Sequence, residues 1–563
     1  MSAPRTSTIR REAAAGTAGA ARFAELLAVL LAALLGAVLL FLTAPTAGEF
    51  WWSDAPRHGL NGVFVRDLVA AMPWRDPVGY AMQYYVQYPA LTILFYPPLF
   101  YAISAVIFAV FGFSHAVALG AVLAHYVVLA VGLHLLARRF MGPGLALAVA
   151  MLAMAAPGIA LWGRQVMLEV PSMAFAVWAM LMLRGYAAGG PVWRLALGLF
   201  LLLCAIYTKF SAVFLIPVAG LMLLAADPRR ALTRRAHWLA ALAFLVALAP
   251  AVLLTLKFGA ANLQSVTSIP DAPVARWTLE GWTWYARALP GLLGWPLLAA
   301  SLAGLLLALR RTEGADGPAH RADLALLLGW IGIGYVFLSY IDLKEARHAT
   351  LLLPPFLIAA GIAAKALPRA PRLAAPAAAG LLAATAAITL WRVPVPFHDG
   401  YREAAEWIGQ NAPPNAIVVF SGKRDGSFVF SMRANADRRP DIFTVRADKL
   451  LLSISVRRQI GVTQRSLSEE EIGALLDRVG ATHIVAQSDF WTDLEVMDRL
   501  QRVLRSPRFV EVARIPVRSN QPEEDRELRI YRNTNEVAPA ESRLSIDLPI
   551  IGRSVQGNVP SGR

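Results

Sequence analysis

An aspartate stands just beyond the first apolar run of the chain, in Phe50-Trp51-Trp52-Ser53-Asp54-Ala55-Pro56-Arg57-His58. A carboxylate held at a membrane edge by aromatic side chains is desolvated and its proton affinity is tunable, which suits a general base facing a lipid-borne substrate. Other ionisable residues gather where apolar runs end: Arg57 and His58, Arg164 and Glu169, Lys209, and Lys344, Glu345, Arg347 and His348. A carboxylate can take the proton of an acceptor hydroxyl or amine while nearby cations stabilise the charge growing on a departing phosphate. Asp54 is therefore the candidate base, and Arg347, His348, Lys209 and Arg164 are the candidate phosphate-binding residues. Glu169, Arg57, His58, Glu49 and Lys344 are supporting candidates, and Tyr84, Tyr85 and Tyr96 candidate substrate contacts. This pairing suits sugar transfer from a lipid phosphate, and a single base opposite a phosphate leaving group implies in-line displacement with inversion at the sugar carbon.

These residues need a membrane frame to bring them together. Of the 563 residues 57% are hydrophobic and only 16% charged, which excludes an ordinary soluble protein of this length. Apolar runs of about 17 to 22 residues recur from Leu26 to Trp391 and then stop. The chain thus reads as a polytopic α-helical membrane protein with a C-terminal extracytoplasmic α/β domain. Its parts are a cytosolic segment 1–25, a transmembrane domain 26–391 with a long first outer loop 45–114, a soluble domain 392–535, and a flexible tail 536–563. Arg5, Arg10, Arg11 and Arg22 precede the first run, and no clean small-residue cleavage site follows it, so it is expected to be an uncleaved helix with its N-terminus in the cytosol.

Arginine-rich loops set the parity. With those at 138–139, 184–194, 229–235, 310–321 and 365–372 all cytosolic, about eleven spans result. They lie near 26–44, 115–137, 143–162, 170–187, 193–208, 210–226, 236–256, 289–309, 324–341, 348–367 and 373–391. Lys209 divides 193–226, because a lysine at the centre of one span costs about 2.5–3.5 kcal/mol. The run 94–111 is then a juxtamembrane helix on the outer side. The alternative makes 94–111 a span and 193–226 a single helix, but places Arg138-Arg139 outside, against the positive-inside trend. In the first arrangement every candidate site residue reaches the outer face.

Each candidate also has a plainer reading. Asp54 could cap the helix that Pro56 opens, Glu169 could neutralise Arg164, and Lys209, Lys344 and Arg347 could anchor in headgroups. His58 and His348 could be ordinary polar neighbours, and Tyr80, Tyr84, Tyr85, Tyr88 and Tyr96 could form an interfacial aromatic belt. The single cysteine, Cys204, lies in an apolar run and reads as a small core residue. The net charge of +15 comes from arginines in short loops, where they set topology and meet anionic lipid, so no nucleic-acid partner is expected.

Beyond Tyr401 the pattern changes. Glu403 to Asn411, Ser468 to Val479 and Asp489 to Leu504 have helical periodicity, and Ser468 with Glu471 makes a capping box. Ala416 to Phe420, Ile442 to Val445, His483 to Ala486, Phe509 to Ile515 and Leu528 to Tyr531 read as strands.

Taken in order, several motifs resemble the membrane GT-C glycosyltransferases, specifically the dolichyl-phosphate-mannose protein mannosyltransferase-like family and its bacterial aminoarabinose-transferase relatives. They are the acidic position after the first span (Asp54), Tyr96-Pro97-Pro98-Leu99-Phe100-Tyr101 opening an apolar helix, Arg164 with Glu169, Thr208-Lys209, and Arg347-His348 before a proline-containing span. The resemblance covers roughly residues 25–365. It implies a GT-C fold in a bacterial inner membrane, Asp54 as catalytic base, and a polyprenyl-phosphate sugar as donor. Acceptor protein, lipid or glycan would be the other partner. The relatives closest in motif imply no metal, although Asp54, Glu169 and Glu49 could offer oxygen ligands to Mg²⁺ or Mn²⁺. Two positions depart from the family pattern: Ala55 follows Asp54 where a glutamate is common, and His348 follows Arg347 where a tyrosine is frequent.

Two other function classes use the same residues. A transporter or flippase of a lipid-linked sugar would line a polar pathway with them, but internal repeats and mid-bilayer charges are not evident in the sequence. A non-catalytic relative scaffolding cell-envelope enzymes would tolerate Ala55.

Overall fold

In the computed structural model the apolar two-thirds of the chain is almost wholly helical. The structure describes residues 5–45, 50–258, 263, 266, 267, 269, 274–310, 317–366, 371–391, 395–454, 458–521, 526–535, 543–548 and 553–558. Among these, six helices are long and apolar enough to cross a membrane: Gly19–Leu42, His115–Ala137, Glu169–Ala187, Arg235–Lys257, Pro318–Ser339 and Ala346–Lys365. Two bent pairs raise the number to eight. The expected spans 193–208 and 210–226 hold apolar helices of 17 residues, shorter than a straight crossing of about 20 residues requires, whereas 373–391 lies in the 21-residue helix Pro371–Trp391.

Prolines and one glycine make the bends. Ala156 precedes Pro157 and is pushed out of the helical region to ψ 127°, so Pro143–Ala155 and Pro157–Gly163 meet at 60°. The expected span 289–309 is not one helix. Gly294 adopts φ +80°, a conformation that L side chains rarely take, and it turns Trp295–Arg310 by 117° from Leu279–Leu293. Trp295–Arg310 then packs closely on Leu353–Lys365: a Cβ at Gly304 would fall 1.7 Å from the carbonyl oxygen of Ala359. The split expected at Lys209 is present. Lys209 is extended, with φ −149° and ψ 121°, between Val192–Thr208 and the 3-10 turn Phe210–Phe214.

The segment expected as a long outer loop is largely helical, comprising Ala55–Ala71, Pro77–Gln87 and Leu99–Phe111. Ala55–Ala71 pairs with Leu99–Phe111. Asn61 fastens the intervening chain, donating to the Thr92 hydroxyl at 3.2 Å and accepting from the Thr92 amide at 2.9 Å.

The soluble part is a three-layer α/β unit. Its five-stranded sheet runs in the order Phe443–Arg446, Ile417–Ser421, Ala481–Ala486, Glu527–Asn533, Phe509–Pro516. The first three strands are parallel and the last two pair antiparallel. Side-chain alternation assigns the two faces. Ile417 and Val419 join a core with Leu476 and Leu500 from Glu469–Val479 and Glu495–Leu504, while Val418 and Phe420 join one with Ile408 from Tyr401–Asn411. The capping box at Ser468 is formed in both directions.

Three features differ from the sequence reading. The helix expected from Asp489 begins only at Glu495, after a turn at Trp491 with φ +53°. A helix at Asp425–Asn435 is additional, and Gly426 to Met432 are all buried, so it has no polar face to betray it. The expected flexible tail contains an antiparallel hairpin, Arg543–Leu548 with Arg553–Asn558. Ile546 and Val555 of this hairpin enter the core of the α/β unit, called the outer unit from its expected side of the membrane, and so does Val86 from Pro77–Gln87. A short alternating strand pair is stable only with such a face to cover, which the tail's weak periodicity did not reveal.

Candidate active site

Four chain breaks converge to build the site. Asp54 ends an irregular turn and opens Ala55–Ala71, Glu169 opens Glu169–Ala187, Lys209 fills the break before Phe210–Phe214, and Arg347 lies in the 3-10 turn Ala346–Leu352. Asp54 occupies a helix N-cap position, yet its side chain makes no capping hydrogen bond. The carboxylate turns instead to Arg347, whose Nη1 donates to Oδ2 at 3.1 Å.

Arg347 is the hub. Its Nη1 also stands 4.0 Å from Oε1 of Glu169, its Nε donates to Glu345, and its guanidinium lies over the rings of Trp52 and Trp162 at 5.1 and 5.9 Å. Trp51, Trp52 and Trp162 touch one another at 5.3 to 5.6 Å between ring centres. A guanidinium over indole faces is held by the ring quadrupole while its N–H edges stay available for oxygen. Glu169, at the positive end of its helix, accepts from the Lys209 amine at 2.5 Å. Its second oxygen is buried and has no hydrogen-bond partner among the described residues.

The cluster therefore holds two cations, Arg347 and Lys209, against three carboxylates, Asp54, Glu169 and Glu345. Arg347 uses Nε and Nη1 on Glu345 and Asp54, and an anion that approached it would compete with these carboxylates for the same charge. Burial pushes the Asp54 proton affinity up, but Arg347, His58 and Arg57 outweigh it and hold the carboxyl at about 2. The Asp54 side chain keeps 21% of its surface open, enough for an acceptor to reach it.

His58 lies one turn along from Asp54 and is buried, its Nδ1 2.9 Å from the Tyr101 hydroxyl and its ring 4.7 Å from that of Tyr96. Burial lowers its pKa to about 4, against the pull of Asp54 and Glu169, so the imidazole is neutral near pH 7 and adds positive charge beside Asp54 only in acid. Asp54 is also among the groups that push the Tyr96 phenol up, behind burial, which places Tyr96 beside the base.

The other candidates go elsewhere. Arg57 pairs with Asp425 of the outer unit, with Nη2 at 2.9 and 3.1 Å from its two oxygens. Lys344 donates to the carbonyl of Ser339 at 2.6 Å, closing the end of Pro318–Ser339, and lies 5.5 Å over the Tyr285 ring. His348 stands 3.8 Å from Glu345. Arg164 is buried and its Nε has no partner among the described residues; Glu169 pairs with Lys209 and Arg347, not with Arg164. Tyr84 donates to Asp67 at 2.9 Å in a junction that Arg433 completes at 2.8 Å. Tyr85 packs against the outer-unit core, and burial pushes its phenol up to about 12. Glu49 lies outside the described residues.

Trp162, Tyr101 and Asp425 were not among the sequence candidates. For Trp162 the available signal was an indole two residues before Arg164 at a helix end, which is too common at membrane interfaces to stand out. As for metal ligands, each site carboxylate already faces a side-chain cation. Among the described residues no three His, Cys, Asp or Glu side chains are grouped so as to hold an ion.

Comparison with known proteins places this arrangement. Residues 96–253 match the sequence model of the family described as dolichyl-phosphate-mannose-protein mannosyltransferase. No curated protein sequence matches the chain. Among solved structures, ArnT from Cupriavidus metallidurans bound to undecaprenyl phosphate is similar, with a TM-score of 0.59 at 15% identity over 91% of this chain and 99% of that one. The oligosaccharyltransferase AglB from Archaeoglobus fulgidus, in complex with an inhibitory peptide and a dolichol-phosphate, has a TM-score of 0.52 at 13% identity over 84% of this chain and 70% of that one. The mycobacterial arabinofuranosyltransferase AftD has a TM-score of 0.50 at 16% identity over 90% of this chain and 40% of that one. The chain has the GT-C fold, a polytopic helical membrane body carrying an α/β domain.

Proposed function

We propose that this GT-C chain is a glycosyltransferase moving a sugar from a polyprenyl phosphate to an acceptor hydroxyl or amine, with inversion and on the extracytoplasmic side of the membrane. The observation that carries the reading is the Asp54–Arg347 pair at 3.1 Å, with Lys209 and Glu169 beside it. Asp54 takes the acceptor proton as the acceptor oxygen or nitrogen bonds to the sugar's anomeric carbon. The bond from that carbon to the phosphate oxygen breaks, its electron pair stays on phosphate, and polyprenyl phosphate leaves. Arg347 and Lys209 face the charge that develops there.

Arg347 links the two halves of the step. As long as it is bonded to Asp54 the carboxylate is a weak base, at about 2. When the donor phosphate draws the guanidinium away, burial is left to raise the Asp54 proton affinity towards the range in which a general base works well. Donor binding thus readies the base. Each of the three carboxylates is already paired with a side-chain cation, and the same rate is expected in EDTA.

The test is transfer of labelled sugar from polyprenyl phosphate in membranes carrying wild type or Asp54→Asn. A loss of about 10²-fold or more, the typical worth of a general base, is expected with donor binding retained. Equal transfer by both would remove Asp54 from the chemistry, and no transfer from any polyprenyl donor would favour transport or scaffolding. Cysteine labelling reports the orientation: a cysteine at the exposed position 411 should react from outside, and one at 140 should not.

A further inference from the structure

The turn that carries Asp54 is gripped from the outer unit. Arg424 donates from Nη1 to the carbonyl of Trp51 at 3.2 Å, and the Ser427 hydroxyl faces the carbonyl of Phe50 at 3.5 Å. Arg57 donates to the carbonyl of Ser53 while its other nitrogen is held in a fork by Asp425. Asp425 in turn is bonded to Arg446, whose guanidinium also binds Asp448 and the carbonyl of Pro89. Behind these polar contacts Phe430 packs edge-on against Phe50 at 4.9 Å. Of the four backbone carbonyls preceding Asp54, two are therefore held directly by the short helix Asp425–Asn435 and its leading arginine, and a third, that of Ser53, is held through Arg57, which Asp425 fixes. Asp54 makes no side-chain cap of its own, and within its own helix, among the described residues, the turn is held only by Arg57 on the Ser53 carbonyl and by the Ala55 amide on the Trp52 carbonyl.

We propose that Asp425 and Arg424 are positioning residues: acting through Arg57 and the backbone of residues 50–53, they hold the turn that carries Asp54 in place, so that its carboxylate stays aimed at the acceptor while Arg347 turns to the donor phosphate. This rests on the transferase reading above. A carboxylate displaced by about 1 Å loses on the order of 10²-fold in rate without losing the substrate.

The experiment uses the full chain in membranes. Asp425→Asn is expected to lower kcat at least tenfold with KM for the polyprenyl-phosphate sugar within twofold, and Asp425→Glu to recover most of that loss. Geometry is read separately, from a nitroxide on Ser53→Cys in a Cys204→Ser background. It should become more mobile when Asp425→Asn is added, while a nitroxide on Asn411→Cys should not change. An unchanged nitroxide at 53, or equal loss with Asp425→Asn and Asp425→Glu, overturns the positioning role. A released nitroxide in a chain whose wild type transfers no sugar upholds the grip and overturns the transferase reading.

Discussion

A single guanidinium, that of Arg347, stands 3.1 Å from a carboxylate oxygen of Asp54 and 4.0 Å from one of Glu169, joining the start of the membrane body to its end. In the proposed reaction the same group receives the lipid phosphate, and its release from Asp54 then sets the state of the base. The pH response of the site follows from that sharing.

Replacing Arg347 by Gln removes the main cation that depresses Asp54, while the burial that raises it remains. The sign is fixed: a base with a raised pKa becomes protonated at higher pH, so activity is lost earlier as pH falls. Wild-type kcat/KM, which reports the free enzyme, is expected to be flat down to the lowest pH at which the protein stays folded. The residual kcat/KM of Arg347→Gln should show an acid limb above the normal aspartate value of about 4. A pH–rate profile of the two proteins, with folding followed in parallel, checks this.

Glu345 competes with phosphate for Arg347. Glu345→Gln keeps the shape and removes one of three negative charges, so polyprenyl phosphate should bind more tightly, by about 3- to 10-fold, or roughly 1 kcal/mol for a partly exposed pair. Titration of lipid phosphate against thermal stability measures it. Weaker binding would mean that Glu345 holds Arg347 in its working orientation.

The Lys209–Glu169 pair predicts a non-additive response. The Glu169 side chain is 1% exposed, so Glu169→Gln leaves Lys209 without its partner, and Lys209→Met leaves a buried carboxylate. Breaking such a pair from one side costs about 3–5 kcal/mol, whereas replacing both partners costs less. Melting of the single and double variants in detergent should show the double Lys209→Met, Glu169→Gln protein to be more stable than Lys209→Met alone.

Removing residues 536–563 deletes the hairpin that covers Val86. Ile546 and Val555 each contribute about 1.5–3 kcal/mol by burial, so the melting temperature should fall by several degrees. Loosening of Pro77–Gln87 is expected as well, read as faster proteolysis between residues 72 and 76. Unchanged melting would show that the hairpin adds nothing to the core.

The acidic and basic members of the site were legible in the sequence because charge at the ends of apolar runs stands out. Asp54, Glu169, Lys209 and Arg347 are conspicuous against a 16% charged background. Parity arguments could bring them to one face, but not say which touched which, so Glu169 was set against Arg164 instead of Lys209. Partners from the outer unit were hidden for a different reason. Asp425 and Arg424 lie on a helix buried on all sides, where the amphipathic signal vanishes. Arg57 and His58 looked alike as cations near the base, and burial separates them: His58 is neutral at a pKa of about 4, and Arg57 is bound away by Asp425. The strands were legible from alternation, whereas the hinge at Gly294 depends on a backbone angle that composition does not report.

Val86 sits in one hydrophobic core with Ile417, Ile484 and Val555, so that core cannot close until synthesis reaches the last strand. The ribosome delivers Pro77–Gln87 hundreds of residues earlier, and that helix must wait on its side of the bilayer while every intervening span inserts. A chain whose spans insert with the wrong parity would strand the two halves of this core on opposite sides of the membrane. The core of the α/β unit, and with it the grip on the Asp54 turn, is therefore complete only where Pro77–Gln87 and the strands of that unit lie on one side of the membrane.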